Sequence, residues 1–356
     1  MNNRLALLEN RVKARLDAIK DPLNGAGLLS AGRVSGLAVR EDGKISFTIE
    51  APANASERYV GVRAEAEAAV RALDGAASVL VVLTSHDAPP AAGIGRVKSV
   101  IAVASAKGGV GKSTVAANLA CAFAALGNKT GLLDLDVYGP SAPTLFGLQG
   151  RKPLPGPEKS LLPIEAFGLE TMSIGYLVDP ASPMIWRGAM ATSAVRQMID
   201  DVMWGELDVL ILDMPPGTGD VQLTLLQRVP LAGAIIVSTP QEMALADVRR
   251  GIAMFEKTRA PILGVIENMA YYVLPNGDRA YIFGQGGARR TAEQAGVPFL
   301  GDIPIDVALR ASADAGKPLV ATDASHSVSA QFLDLARAAL ANAARFAKPA
   351  PSITVN

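Results

Sequence analysis

Val100-Ile-Ala-Val-Ala-Ser-Ala-Lys-Gly-Gly-Val-Gly-Lys-Ser-Thr114 runs from a short apolar strand into a glycine-rich loop, and an apolar stretch of helical length, Val115 to Leu126, follows it. Strand, glycine loop and helix in that order are the setting of a phosphate-binding loop. Glycines here let the backbone N–H groups of Gly108, Gly109, Val110 and Gly111 turn inward on phosphate oxygens with no Cβ in the way. Lys112 is placed to reach the outer phosphates of a nucleotide and the Ser113 hydroxyl to ligate Mg²⁺, with Thr114 beside them in the same cradle. The strict pattern has glycine at position 106, where this chain has Ala106, and a second lysine, Lys107, precedes the glycine pair. A glycine-rich turn with a solvated lysine pair is the plainer reading, and the flanking strand and helix weigh against it.

Beyond the loop, Val/Ile/Leu runs at 131–134, 209–213, 234–238, 262–267 and 298–301 alternate with helical stretches. Such alternation implies right-handed βαβ units, a mostly parallel sheet covered by helices on both faces, and ligands at the carboxyl ends of the strands. Before the loop, Leu5, Leu8, Val12, Leu16 and Ile19 recur at spacings of three and four, as one face of an amphipathic helix. Strands are expected at 34–40 and 45–49 about an Asp42-Gly43 turn, then a helix at 59–73 and a strand at 78–84. These make a small α+β domain of αββαβ order over residues 1–86. A Pro/Gly/Ala-rich linker, 87–97, separates it from a large α/β domain, 98–347, and a flexible tail, 348–356, follows.

Carboxylates end two of the apolar runs. Leu132-Leu-Asp-Leu-Asp-Val-Tyr-Gly-Pro-Ser141 puts Asp134 and Asp136 at the end of a buried strand, where they are costly unless a cation or an attacking water uses them. Asp134 has a second reading, as the cap of the following helix. Leu207-Asp-Val-Leu-Ile-Leu-Asp213 ends in a carboxylate suited to holding Mg²⁺ through water, and Met214-Pro-Pro-Gly-Thr-Gly-Asp220 follows it. The Gly217 N–H in that loop is a candidate sensor of a γ-phosphate. Asn268, closing a later strand, carries the donor and acceptor that an adenine edge requires, or else simply forms a turn.

With its extra lysine, the loop resembles the deviant phosphate loop of the ParA, MinD, nitrogenase iron protein and Mrp (ApbC) ATPases, which implies a P-loop NTPase fold. The resemblance implies that Lys107 reaches across a nucleotide-sandwich homodimer to the partner's phosphates, in the manner of an arginine finger. It also implies that Asp136 lies in the first switch near Mg²⁺ and the hydrolytic water, that Asn268 reads the base, and that Asp302-Ile-Pro304-Ile-Asp306 brings backbone near the nucleobase. Asp136-Val-Tyr-Gly-Pro-Ser141, Ile185-Trp-Arg-Gly188, Asp213-Met-Pro-Pro-Gly-Thr-Gly-Asp220, Thr239-Pro-Gln241, Glu267-Asn-Met269 and Ile282-Phe-Gly284 narrow the likeness to the Mrp type of iron-sulfur cluster carrier, over residues 97–345. Those carriers hold a Cys-x-x-Cys pair between the last two motifs. Here the segment reads Ala270-Tyr-Tyr-Val-Leu-Pro-Asn-Gly-Asp-Arg-Ala-Tyr281, in which Leu274 offers no thiolate and Pro275-Asn276-Gly277 reads as a tight hairpin turn.

Composition bounds the remaining readings. In 356 residues, 34 Lys and Arg balance 34 Asp and Glu, so no bulk charge draws the chain to nucleic acid or anionic lipid. One cysteine, Cys121, and two histidines exclude an intrachain disulfide and a self-contained Cys/His metal cluster. Cys121 lies in the helix after the phosphate loop, where a small buried hydrophobe is expected. No signal-like leader or spanning segment is read, so a cytoplasmic ATP hydrolase using Mg²⁺ is expected, with neither membrane nor nucleic acid as a partner. Its partners would be a second copy and an apoprotein or cysteine-bearing assembly protein. The expected role is iron-sulfur cluster assembly or transfer; the alternative is a recruitment or positioning ATPase of ParA or MinD type that carries no cluster. The Ala-rich stretch Ser327 to Phe346 has few basic residues, and packing on the sheet is its expected job.

Overall fold

A computed structural model describes residues 2–40, 42–52, 56–86, 93–178, 188–217 and 219–346, and the chain divides into two compact units, Met1–Pro90 and Ala91–Asn356. The first unit runs α1 (Asn2–Ala18), β1 (Val34–Val39), β2 (Lys44–Pro52), α2 (Ser56–Arg71) and β3 (Ser78–His86). β2 pairs antiparallel with β1 and parallel with β3. Strand alternation turns Ile45, Phe47, Ile49, Val79 and Val81 to one face, where Val12, Leu16, Tyr59, Ala66 and Val70 of the two helices bury them. At the edge of this core the buried carboxylate of Asp21 accepts from Tyr59 Oη at 2.7 Å and from Arg33 Nε at 2.7 Å, so its charge is matched where water is excluded.

The second unit begins with β4 (Val97–Ala104), α3 (Lys112–Ala125), β5 (Thr130–Asp134), α4 (Ala142–Leu145), β6 (Ile164–Ala166), β7 (Leu169–Ser173) and α5 (Gly188–Asp200). It continues through β8 (Leu207–Asp213), α6 (Asp220–Arg228), β9 (Gly233–Ser238), α7 (Glu242–Lys257), β10 (Ile262–Glu267), β11 (Tyr272–Val273) and β12 (Arg279–Ala280). It ends with α8 (Gly287–Gln294), β13 (Phe299–Asp302), α9 (Val307–Asp314), α10 (Leu319–Thr322) and α11 (Ser327–Phe346). One sheet of order β13-β10-β9-β4-β8-β5-β7-β6 carries the unit, parallel throughout except where β6 runs antiparallel to β7. β4, β8, β9 and β10 lie inside it and read as nearly continuous apolar runs because helices cover both faces.

α3 is apolar on nearly every side because the sheet lies on one flank and α10 and α11 on another. Its one polar interruption, Asn118, is satisfied: Nδ2 donates to Thr114 O at 2.9 Å and Oδ1 accepts from Val320 N at 3.2 Å. α11 buries Val328, Phe332, Leu335 and Ala339 against this layer, so its apolar stripe is used within the unit. Among the described residues no helix is long and apolar enough to cross a membrane. The strands expected at 34–40 and 298–301 shift slightly, to Val34–Val39 and Phe299–Asp302, and the helix expected at 59–73 starts earlier, at Ser56. β6 and β7 are additions, too short and too close to the Phe167-Gly168 turn to show a period. Of the expected linker, residues 87–92 lie outside the described residues, as does the expected tail, 348–356.

Candidate nucleotide site

β4 ends at Ala104 in the sheet interior and α3 starts at Lys112, so the loop between them sits at the carboxyl end of the central strands. Gly109 (φ 82°) and Gly111 (φ 79°) hold left-handed backbone, which glycine adopts without a Cβ penalty. A Cβ at 111 would also run into the Asn268 amide. Ser105 Oγ donates to Lys107 O at 2.9 Å, which folds the loop back on itself. Lys107, Gly108 and Gly109 are exposed, while Val110 and Lys112 are buried.

Lys112 Nζ donates to Ser113 Oγ at 3.1 Å and forms an ion pair with Asp213 Oδ1, at the end of β8. Both side chains of that pair are nearly inaccessible to water. Asp134 closes β5, the neighbour of β8, and stands opposite Asp213 in register. Its carboxylate accepts from Ser141 N at 2.9 Å, Ala142 N at 3.0 Å, Ser173 Oγ at 3.0 Å and Asp136 N at 3.1 Å. Asp134 therefore holds the start of α4, the capping role that was one of its two readings. Burial, and after it the nearby Asp213 carboxylate, push the Asp134 carboxyl well above the usual range, against the pull of those donors. Two buried carboxylates beside one ammonium leave an uncompensated negative charge, with the Ser113 hydroxyl alongside. This all-oxygen set fits a hard cation such as Mg²⁺, which is held by one or two carboxylates plus phosphate oxygens.

Asp136 is half-buried, and its Oδ1 accepts from Tyr138 N and Gly139 N, both at 3.2 Å. The structure places Asp136 beside Asp134 but in its own turn. Met214 N donates to Val103 O and Gly217 N to Ser105 O, each at 3.0 Å. The Gly217 N–H, expected to face a γ-phosphate, is thus spent on the root of the phosphate loop. Gln222 Nε2 donates to Pro215 O at 2.5 Å and braces the same loop from α6. Thr218, and Ile185, Trp186 and Arg187 of another quoted motif, lie outside the described residues.

Asn268 is buried, and its Nδ2 donates to Val110 O at 2.8 Å. The amide expected at a base edge therefore also fixes the phosphate loop, a contact between residues 158 positions apart. Pro304 is buried in a segment where Ile303 N donates to Glu267 O and Ala270 N to Ile303 O, each at 2.9 Å, so it lies alongside the chain that leaves Asn268. Glu267 itself was quoted as part of a motif but given no role. Its oxygens accept from Gly286 N at 3.2 Å and Ala288 N at 2.6 Å, which caps α8. A carboxylate ending an apolar strand was the available signal, as at Asp213.

The segment without cysteine forms the expected hairpin: β11 pairs antiparallel with β12, and Gly277 N donates to Leu274 O at 2.8 Å across the turn. Cys121 is 3% exposed inside α3, and burial pushes its thiol up to about 12. At pH 8 its thiolate fraction is therefore only about one part in ten thousand. Native protein is expected to resist iodoacetamide at pH 8 and to take up one equivalent once unfolded, as intact mass would show. Rapid alkylation of the folded chain would contradict the buried placement.

Residues 96–340 match the family described as NUBPL iron-transfer P-loop NTPase, and residues 9–81 match one described as iron-sulfur cluster assembly protein. The iron-sulfur cluster carrier protein of Pseudomonas fragi is 46% identical over 275 residues, 75% of this chain and 96% of that protein. Its counterpart in Synechocystis is 42% identical over 324 residues, 88% of this chain and 92% of that protein. A nucleotide-binding protein from Archaeoglobus fulgidus, solved in complex with ADP, superposes with a TM-score of 0.57 at 43% identity, covering 63% of this chain and 89% of that one.

Proposed function

Because the chain belongs to the iron-transfer family of P-loop NTPases that includes the iron-sulfur cluster carrier proteins, we propose that it is a slow, dimeric ATPase switch serving iron-sulfur cluster assembly or transfer, with a cysteine-bearing partner supplying the cluster ligands. The observation that carries this reading is the convergence of Lys112, Ser113 and Asp213 at the phosphate loop, with Asp134 and Asp136 on the adjacent strand end. Family kinship supplies the iron-sulfur part of the reading. The chain's own side chains direct the cluster ligands elsewhere, since its one thiol is buried.

The residues act as follows. Lys112 exchanges Asp213 for the outer phosphates of ATP, and Asp213 and Ser113 are then free to hold Mg²⁺. That cation supplies positive charge against the transferring phosphoryl group. Backbone N–H groups of Gly108 to Gly111 line the phosphates, with Thr114 at the helix start, while Asn268 and the Pro304 backbone border the base. Asp136 orients the attacking water. Exchange at Asp213 loads the strand end from which residues 214–217 depart, and the Gly217–Ser105 hydrogen bond is the contact that breaks when this loop moves toward the γ-phosphate. Lys107, exposed at the loop's crest, completes the site of a second copy.

A lysine supplied in trans separates turnover from binding. Lys107→Ala is expected to keep its ATP affinity within a fewfold and to lose hydrolysis by about a hundredfold or more, the scale of a finger residue acting in trans. Mixing it with Asp136→Ala protein should restore part of the turnover, because one composite site then holds both intact groups. Normal hydrolysis by Lys107→Ala alone would remove the cross-subunit role.

A further inference from the structure

A cavity of about 350 Å³ opens at the carboxyl ends of β10 and β13, between the β11–β12 hairpin and α8. Arg279, Arg289 and Arg290 line it, with Tyr271 and Tyr281. Arg279 lies over the Tyr271 ring at 4.0 Å and Arg289 over the Phe299 ring at 4.2 Å, while Arg290 Nη1 donates to Gln285 O at 2.7 Å. Among the described residues none of the three forms an ion pair. Of the two carboxylates in the wall, Glu267 is committed to the start of α8, which leaves Asp302 against three guanidinium groups. A guanidinium stacked on a ring keeps its N–H edge turned outward, in the planar fork that matches a carboxylate.

Beside the cavity the hairpin and the segment after it expose Val273, Leu274, Tyr281 and Ile282. A small free anion would leave this apolar rim unused, whereas a peptide with carboxylates among apolar residues engages both features. We propose that the cavity and hairpin dock a short acidic, apolar-containing segment of a partner protein. The site is separate from the nucleotide chemistry, since none of the three arginines shares a hydrogen bond or ion pair with Lys112, Ser113 or Asp213.

Fluorescence anisotropy with a fluorescein-labelled peptide of alternating Glu and Leu tests this on the full chain, alongside a matched peptide of Lys and Leu. The acidic peptide should bind, weaken as salt rises, and lose at least about tenfold in affinity in the Arg279→Gln/Arg289→Gln/Arg290→Gln variant. ATP hydrolysis and melting temperature should be unchanged in that variant, because all three side chains are exposed. The proposal is overturned if the acidic peptide fails to bind wild type, binds the variant equally, or is matched by the basic peptide. Displacement by inorganic phosphate at the same concentration as free peptide would mean a small-anion site. A shift from dimer to monomer in the variant, with no peptide binding to wild type, would mean that a second copy covers the cavity; both results overturn the proposal.

Discussion

Lys112→Ala is expected to weaken ATP binding by at least about a hundredfold and to abolish measurable hydrolysis, because the ammonium makes charge-assisted hydrogen bonds to phosphate worth roughly 1.5–3 kcal/mol and no nearby cation replaces it. The same substitution leaves Asp213 buried beside Asp134 without its counterion. Breaking a buried pair from one side costs about 3–5 kcal/mol unless a carboxyl takes up a proton. Lys112→Ala should therefore also melt earlier, and lost binding alone would be ambiguous. Lys112→Gln/Asp213→Asn resolves it by replacing the pair with two neutral amides. That variant should recover most of the stability while binding no ATP, as calorimetric titration and thermal melts would show. Full nucleotide binding by either variant would remove Lys112 from the site.

The layered α/β architecture was legible because β4, β8, β9 and β10 are buried on both faces and so appear as unbroken apolar runs between helices. The phosphate loop was legible because its glycines, Lys112 and Ser113 act within a few residues of one another. Contacts across long stretches of chain were not. That Lys112 meets Asp213, that Asn268 braces Val110 and that Gly217 is tied to Ser105 depend on which strands become neighbours, and β4 lies between β8 and β9 only once the sheet forms. Asp134 shows the boundary between the two: its capping of α4 was open as one of two local readings, while its place opposite Asp213 came from strand register. β6 and β7 gave no signal, being short and separated by a turn. The three arginines of the cavity are scattered over β12 and α8 among ordinary surface residues, and only the fold gathers them.

The cargo is where kinship and residue chemistry part. A [4Fe-4S] cluster takes four thiolates, and two copies of this chain bring two in total, each a Cys121 buried in α3 with its thiol pushed up to about 12. The hairpin turn Leu274-Pro-Asn-Gly277 offers backbone and an amide, which bind iron far less tightly than thiolate. Among the described residues no three His, Cys, Asp or Glu side chains gather into a metal-holding group. The nucleotide machinery and the cluster ligands are thus divided between this chain and another protein. Anaerobic reconstitution of the isolated protein with ferrous iron and sulfide, followed by desalting and quantitation of both, tests that division most directly. Iron and sulfide at background level, with no visible thiolate-to-iron absorption, is the predicted result; stoichiometric iron and sulfide that survive desalting and vanish in Cys121→Ser would contradict it.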